Sequence, residues 1–250
     1  MPESIRYSEV PDGGLVSSEE SERIVSAKLK WCVYCGEVTT PSDQSKEHCV
    51  PKCLWPGKLL NRMMTVPAHR DCNCGYAKDD EYFRNILVAM RGADRHQAAR
   101  ALIDGKVNDC YTQRPHLLRN QLLNLSRRPV RPVMSPGGLY LGDVPAFDVE
   151  NDRLHRVMDK ICRCLFYEHH KRLLAPTHVV NWFHLNDDTL ERTQQLVFRM
   201  EPMRDFGDSV FRYQRYFSKL DPNNAAWFLI FYEAVAFVGR TVPKEVSDAC

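Results

Sequence analysis

Apolar residues change their spacing several times along the chain, and each change marks a new element. Residues 1–25 are polar, with SSEESER and a Gly-Gly pair, and read as a flexible leader. Residues 28–33 lead into Cys32, and Gly36 is placed to take a positive φ at the turn that follows. The stretch 38–50 is short and turn-rich, and with 65–67 it suits a two-stranded unit with Glu47 and His48 near its first strand. From Arg70 the spacing becomes helical, with Phe83, Ile86, Leu87 and Met90 recurring on one side. Whether one helix breaks at Gly75 or two helices meet there is left open by the pattern. Further helices are expected around 96–103 and 115–125. The stretch SRRPVRPVMSPGG then separates the two halves of the chain.

The second half mixes periods. Residues 152–170 place Leu154, Val157, Ile161, Leu165 and Phe166 on one face of an amphipathic helix. Residues 177–185 are β-branched and aromatic, which suits a strand, and 188–199 return to helix. Residues 209–217 alternate, and 227–238 form a long apolar run expected as one central buried strand. Asp221-Pro222-Asn223-Asn224 between these two is a turn, so they should pair antiparallel. The expected class is α+β. It comprises a leader over 1–25, a compact module over 26–92, a helical connection over 93–130 and an α+β domain with antiparallel strands over 131–250. No internal repeat is visible.

Composition narrows the function little. The chain has 250 residues and is 44% hydrophobic, enough for a sizeable core. A net charge of +2 neither requires nor excludes a nucleic-acid partner, since a local basic patch suffices. No run reaches the roughly 18 apolar residues a membrane helix needs, so no membrane partner is expected. The first residues lack an apolar signal core, and the expected location is intracellular, in the cytoplasm.

The cysteines change the picture. Six of the ten lie between Cys32 and Cys74, at metal-type rather than disulfide-type spacing. Cys110, Cys162, Cys164 and Cys250 read as small buried hydrophobes or a tail thiol. Cys32 and Cys35 form a Cys-x-x-Cys pair, and His69 and Cys72 a His-x-x-Cys pair. Four soft donors suit one tetrahedral, structural zinc ion. Cys49, Cys53 and Cys74 are rivals for one position. Between the pairs sits Glu47-His48, and Asn73 follows the second pair. A neutral histidine is a good base near pH 7, while a carboxylate and an amide oxygen suit magnesium or manganese. Neighbouring strand residues face opposite ways, so Glu47 and His48 could serve one centre only if the backbone bends.

The combination WCVYCGEV, KEHCVPKC and TVPAHRDCNCGYAKDDEYF over 31–83 resembles the HNH endonuclease family in its zinc-stabilised ββα-metal form. It covers about a fifth of the chain. The resemblance implies a phosphodiester hydrolase that depends on one divalent cation, Mg2+ or Mn2+, beside a structural Zn2+. It makes His48 the general base and makes Glu47 and Asn73 the ligands of the catalytic cation, with Asp79 and Asp80 as further candidates. The family's middle Asn would fall near Met64 or Thr65, neither of which can orient a base; Asn61 is offset by about one turn.

Nucleic acid is the implied partner, DNA ahead of RNA, with Lys52, Lys58, Arg62 and Arg70 as contacts and Arg114, Arg119, Arg127, Arg128 and Arg131 as a second basic group. The C-terminal domain would select substrate, form a homodimer or bind a regulatory partner. The rival reading is a zinc-binding module that recognises nucleic acid or protein without cutting. A third is an HNH protein that has lost activity with the middle Asn. Asn73 also suits a helix cap, and Asp79, Asp80 and Glu81 suit a solvated first helical turn. His169-His170 reads as an exposed helix end, and the WFLIFYEAVAF run reads as core.

Overall fold

A computed structural model describes residues 30–57, 63–116, 131–135, 137–144, 149–185, 189, 193–194 and 196–247. The leader, most of the expected helix over 115–125, Asn61, Lys58, Arg62, Arg119, Arg127, Arg128 and Cys250 lie outside them. So does much of the expected helix over 188–199.

The first half is built from short pieces. β1 (Lys30–Trp31) pairs antiparallel with β2 (Val38–Thr39), and the chain between them makes the Cys32–Gly36 turn. Gly36 takes φ 79°, the left-handed value expected of it. β3 (Gln44–His48) pairs antiparallel with β4 (Thr65–His69). The expected choice between one broken helix and two resolves as two: α1 (Arg70–Cys74) ends before Gly75, and α2 (Ala77–Ala89) follows. Hairpin followed by helix is the ββα order. The next helical run is longer than its predicted span, with α3 (Gln97–Leu102) continuing through a π-helical stretch (Ile103–Val107) into α4 (Asn108–Gln113).

In the second half β5 (Arg131–Met134) and β6 (Tyr140–Val144) form a hairpin of their own. α5 (Asn151–His170) follows the expected boundaries closely, and all five residues of its predicted apolar face are buried. Then comes a five-stranded antiparallel sheet in the order β7-β11-β10-β9-β8. Its strands are β7 (His178–His184), β8 (Arg204–Phe206), β9 (Phe211–Phe217), β10 (Ala225–Phe231) and β11 (Val235–Pro243). β9 and β10 pair antiparallel across the Asp221–Asn224 turn, as expected.

The run 227–238 is not one strand. It folds back at Tyr232 and Glu233, whose φ values are 51° and 58°, and supplies both β10 and β11. Both central strands are buried, so their residues read as one apolar run, and no Gly or Pro announces the turn. What holds it is distant in sequence: the buried Tyr232 hydroxyl donates to the Leu54 carbonyl at 2.9 Å. The run's assignment to core, as opposed to a stacking surface, agrees with the burial of Trp227, Leu229, Phe231, Tyr232, Val235 and Phe237.

Helix α5 touches both halves. Its Leu154, Val157, Ile161 and Phe166 join one continuous core with Phe83, Leu87, Phe211, Trp227 and Phe237. Its Cys164 packs with Val33, Cys49 and Val66 of the first half. The Pro/Gly-rich stretch therefore divides the sequence but not the core. At the sheet, Gly239 lies opposite Trp182 on one side and Trp227 on the other. A Cβ added there would sit 2.5 Å from Cys162 Sγ of α5. We expect Gly239→Ala to lower stability by about 1–3 kcal/mol through overpacking. Urea unfolding should show the loss, and Cys162→Ala should restore part of it because the two atoms share one space. An unchanged midpoint in the single variant would mean that α5 does not press on β11 as described.

His169 and His170 are not the exposed helix end expected. Both are half-buried. The His170 ring meets those of Phe166 and Phe217, and the His169 ring approaches Tyr213 and Phe217. Docking of the helix end on β9 covers them, which helical spacing alone could not show. Among the described residues no helix is long and apolar enough to cross a membrane.

Candidate metal centre

The two ligand pairs come from different elements and meet at the start of the ββα unit. The first pair sits on the turn closing β1 onto β2, where the Cys32 N–H donates to the Glu37 carbonyl at 2.8 Å and the Gly36 N–H to the Cys32 carbonyl at 3.0 Å. His69 ends β4 and occupies the cap position of α1. Cys72 lies three residues on, which puts it on the same side of the helical turn. The result is that Cys32, Cys35 and Cys72 Sγ and a ring nitrogen of His69 all lie within 4.8 Å of one another.

Three thiols and one imidazole are a zinc donor set, and four protein ligands close the coordination shell, as in a structural site. The residues fit the ion. The Cys35 Sγ to His69 Nδ1 separation is 3.2 Å. Nε2 of the same ring donates to the Val38 carbonyl at 3.2 Å, which leaves Nδ1 facing the sulfurs and fixes the ring. That hydrogen bond also raises the His69 pKa above the usual histidine value. Burial works to raise the Cys32 thiol, yet the backbone N–H groups of Cys35, His69 and Tyr34 outweigh it and bring it to about 7. Burial, with Cys32 and Cys35 alongside, pushes Cys72 up to about 12. Crowded thiolates oppose one another's ionisation, and a dication is what relieves that.

The rival cysteines go elsewhere. Cys49 is buried beside Val33, Val66 and Cys164. Cys53 Sγ donates to the Asp80 carbonyl at 3.3 Å, and Cys74 is exposed. Cys110, Cys162 and Cys164 are buried, matching the reading of small hydrophobes.

The expected second centre is arranged differently from what the resemblance implies. β3 stays regular to its end, with Glu47 opposite Val66 and His48 opposite Thr65. No bend brings the two side chains to one face. Glu47 points inward and is only 4% exposed, and its Oε1 lies 2.8 Å from Lys160 Nζ of α5. The same ammonium donates to both Asp80 oxygens, at 2.7 and 2.9 Å, and is itself fully buried. Burial raises the Asp80 carboxyl above its usual range, and Lys160 counters it only in part. Burial also works against the charge on Lys160, but Asp80 and Glu47 outweigh it and hold its pKa above the ordinary lysine value.

Asp79 is not a solvated first-turn residue either. It is buried and paired with Arg153 at 2.8 Å and Arg156 at 3.0 Å. Asn73 does not cap a helix. Its amide nitrogen donates to Ser45 Oγ at 3.2 Å and the Lys46 carbonyl at 3.5 Å, which straps α1 to β3 on the side that Glu47 faces. Glu47, Asp79, Asp80 and Asn73 as they stand do not fit a divalent cation, because each acid already holds a side-chain cation.

His48 faces away from this cluster and is half-buried. Burial lowers its pKa, and the charges of Lys52 and Lys160 lower it further. Its imidazole is therefore neutral near pH 7. Lys46, two residues back on β3, shares its side of the strand, and both Lys46 and Lys52 are exposed. Arg70 is exposed at the start of α1. Arg114 is exposed and 3.6 Å from Glu81.

The residues that sequence reasoning missed are Arg153, Arg156 and Lys160. They recur at helical spacing beside the apolar stripe of α5, a signal that was present. Their acidic partners lie some 70 or more residues earlier, and no local pattern ties the two. By fold and site the chain is an α+β protein with a Cys3His site fitted for zinc. Compared with known proteins, it matches no family model, no curated protein and no solved structure.

Proposed function

We propose that this chain is an HNH-type endonuclease that hydrolyses phosphodiester bonds in nucleic acid, DNA in preference to RNA, with His48 as general base. One observation carries the reading. A Cys3His site ties down an antiparallel hairpin that runs into a helix, and the last residue of its first strand is a neutral, half-buried histidine flanked by exposed lysines. Zinc, when bound, supplies folding energy and rigidity and takes no part in the chemistry. His48 is held with its basic form dominant at neutral pH, so it can take a proton from an attacking water. Lys46 and Lys52 present positive charge on the same side and would hold phosphate oxygens.

The test is nicking of supercoiled plasmid by zinc-loaded protein, in excess over DNA, with Mg2+ or Mn2+. Wild type should nick, and His48→Ala should not while retaining the same zinc. Equal nicking by both would remove His48 from the mechanism. A specific observation favours a second reading, a zinc module that recognises nucleic acid without cutting it: Lys160 fills the space between Glu47 and Asp80. Plasmid binding without nicking in either protein would support that reading.

A further inference from the structure

The proposal below rests on the nuclease reading, in which the Glu47 corner of the ββα unit is where a divalent cation belongs. Three cations leave one side of α5 toward the first half of the chain. Arg153 and Arg156 hold Asp79, and Lys160 holds Glu47 and Asp80. Their positions are i, i+3 and i+7, one stripe along the helix. The stripe meets every acid in the candidate cation shell. Lys160 is completely withdrawn from solvent, and its Nζ sits between two carboxylates at 2.7 and 2.8 Å, the arrangement of an ion in a coordination site. Tyr76 gives it a further wall, with the ring centroid 5.3 Å from Nζ, and Tyr34 stacks on Tyr76 at 4.6 Å. The Tyr34 hydroxyl is buried with no hydrogen-bond partner among the described residues, so an oxygen ligand stands spare within this wall.

We propose that Lys160 is the resident cation of this centre, an internal ammonium from α5 that excludes a divalent metal from Glu47 and Asp80. The chain is then closed by its own helix. A metal gains both carboxylates only when Lys160 leaves them, so metal entry and the docking of α5 compete. An ammonium and a dication cannot share two carboxylates at these distances, because the repulsion between them in a buried site is large. The reciprocal consequence is that whatever loosens α5 from α2 raises metal affinity, and that bound metal loosens α5.

The experiment is a Mn2+ titration of the zinc-loaded full chain, followed by calorimetry and by thermal melting, on wild type, K160M and K160M/E47Q. Methionine keeps the length of the side chain and removes its charge. Wild type should take up no Mn2+ at this site, and its melting temperature should not respond. K160M should bind one Mn2+ per chain at least about tenfold more tightly than wild type and melt at a higher temperature with it. K160M/E47Q should lose that gain. A K160M protein that folds only with Mn2+ present also supports the proposal, since the site then demands a cation. K160M that folds and takes up no Mn2+, or that stays unfolded in excess Mn2+, overturns it, as does Glu47-dependent uptake by wild type. The nuclease reading is scored separately on plasmid. K160M that binds Mn2+ without nicking would sustain the closed-site proposal and defeat the nuclease. Wild-type nicking with no change in Mn2+ binding on K160M would do the reverse.

Discussion

Cys32→Ser, or removal of the metal by a chelator, is expected to unfold the first half of the chain while the five-stranded sheet persists. The hairpin β3–β4 has two strands and β1–β2 has two residues in each, and neither stands alone in water. What joins them is the Cys3His site, to which each side contributes two ligands. Structural zinc in small modules is worth on the order of 10 kcal/mol of folding energy, more than most domains have in total. The sheet has its own buried aromatics, Phe211, Tyr213, Trp227 and Phe231, and depends on no ligand of that site. Hydrogen exchange should therefore show 30–74 exposed and β9–β11 still protected, with zinc content near zero by elemental analysis. Cys74→Ser is the control, because Cys74 is exposed and outside the cluster, and it should keep both zinc and protection. Full zinc in Cys32→Ser, or equal loss in the control, would mean that the four residues are not the site.

His48→Ala is expected to cost cleavage about 10²- to 10⁴-fold, the usual contribution of a positioned base. The pH dependence gives a sharper test. Burial and the charges of Lys52 and Lys160 disfavour the imidazolium, so the His48 pKa lies below the ordinary 6.5. The base acts when neutral. Cleavage should thus be level at and above neutral pH and fall only as the pH drops through that lowered value. Removing one of the charges has a definite sign. Lys52→Gln takes away a cation that opposes protonation, so the His48 pKa rises and the acid limb of the profile moves to higher pH. A limb that stays in place, or moves down, would show that the group titrating in the profile is not His48.

Much of the candidate site could be read in the residues because its logic is local. Soft donors in two closely spaced pairs need little beyond a turn and a helix start to converge, and the four that were expected do converge. The α5 stripe and the β9–β10 pairing likewise follow from spacing within one element or across one turn. Strand alternation even warned that Glu47 and His48 face apart, and the regular β3 ladder bears that out.

The rest depended on which surfaces dock. An apolar run such as 227–238 satisfies one long strand or two short ones equally, and the choice fell to a hydrogen bond from Tyr232 to Leu54, 178 residues away. Glu47 and Asp80 are acids with metal-binding chemistry in any local reading. Only the packing of α5 against α2 and β4 sets an ammonium between them, because burial makes an unpaired carboxylate costly and the nearest side-chain cation is on that helix. Residue type and short-range spacing thus decide where zinc, helices and strands can form. Long-range docking, through desolvation of the charges it buries, decides which of the candidate ligands are left free to act.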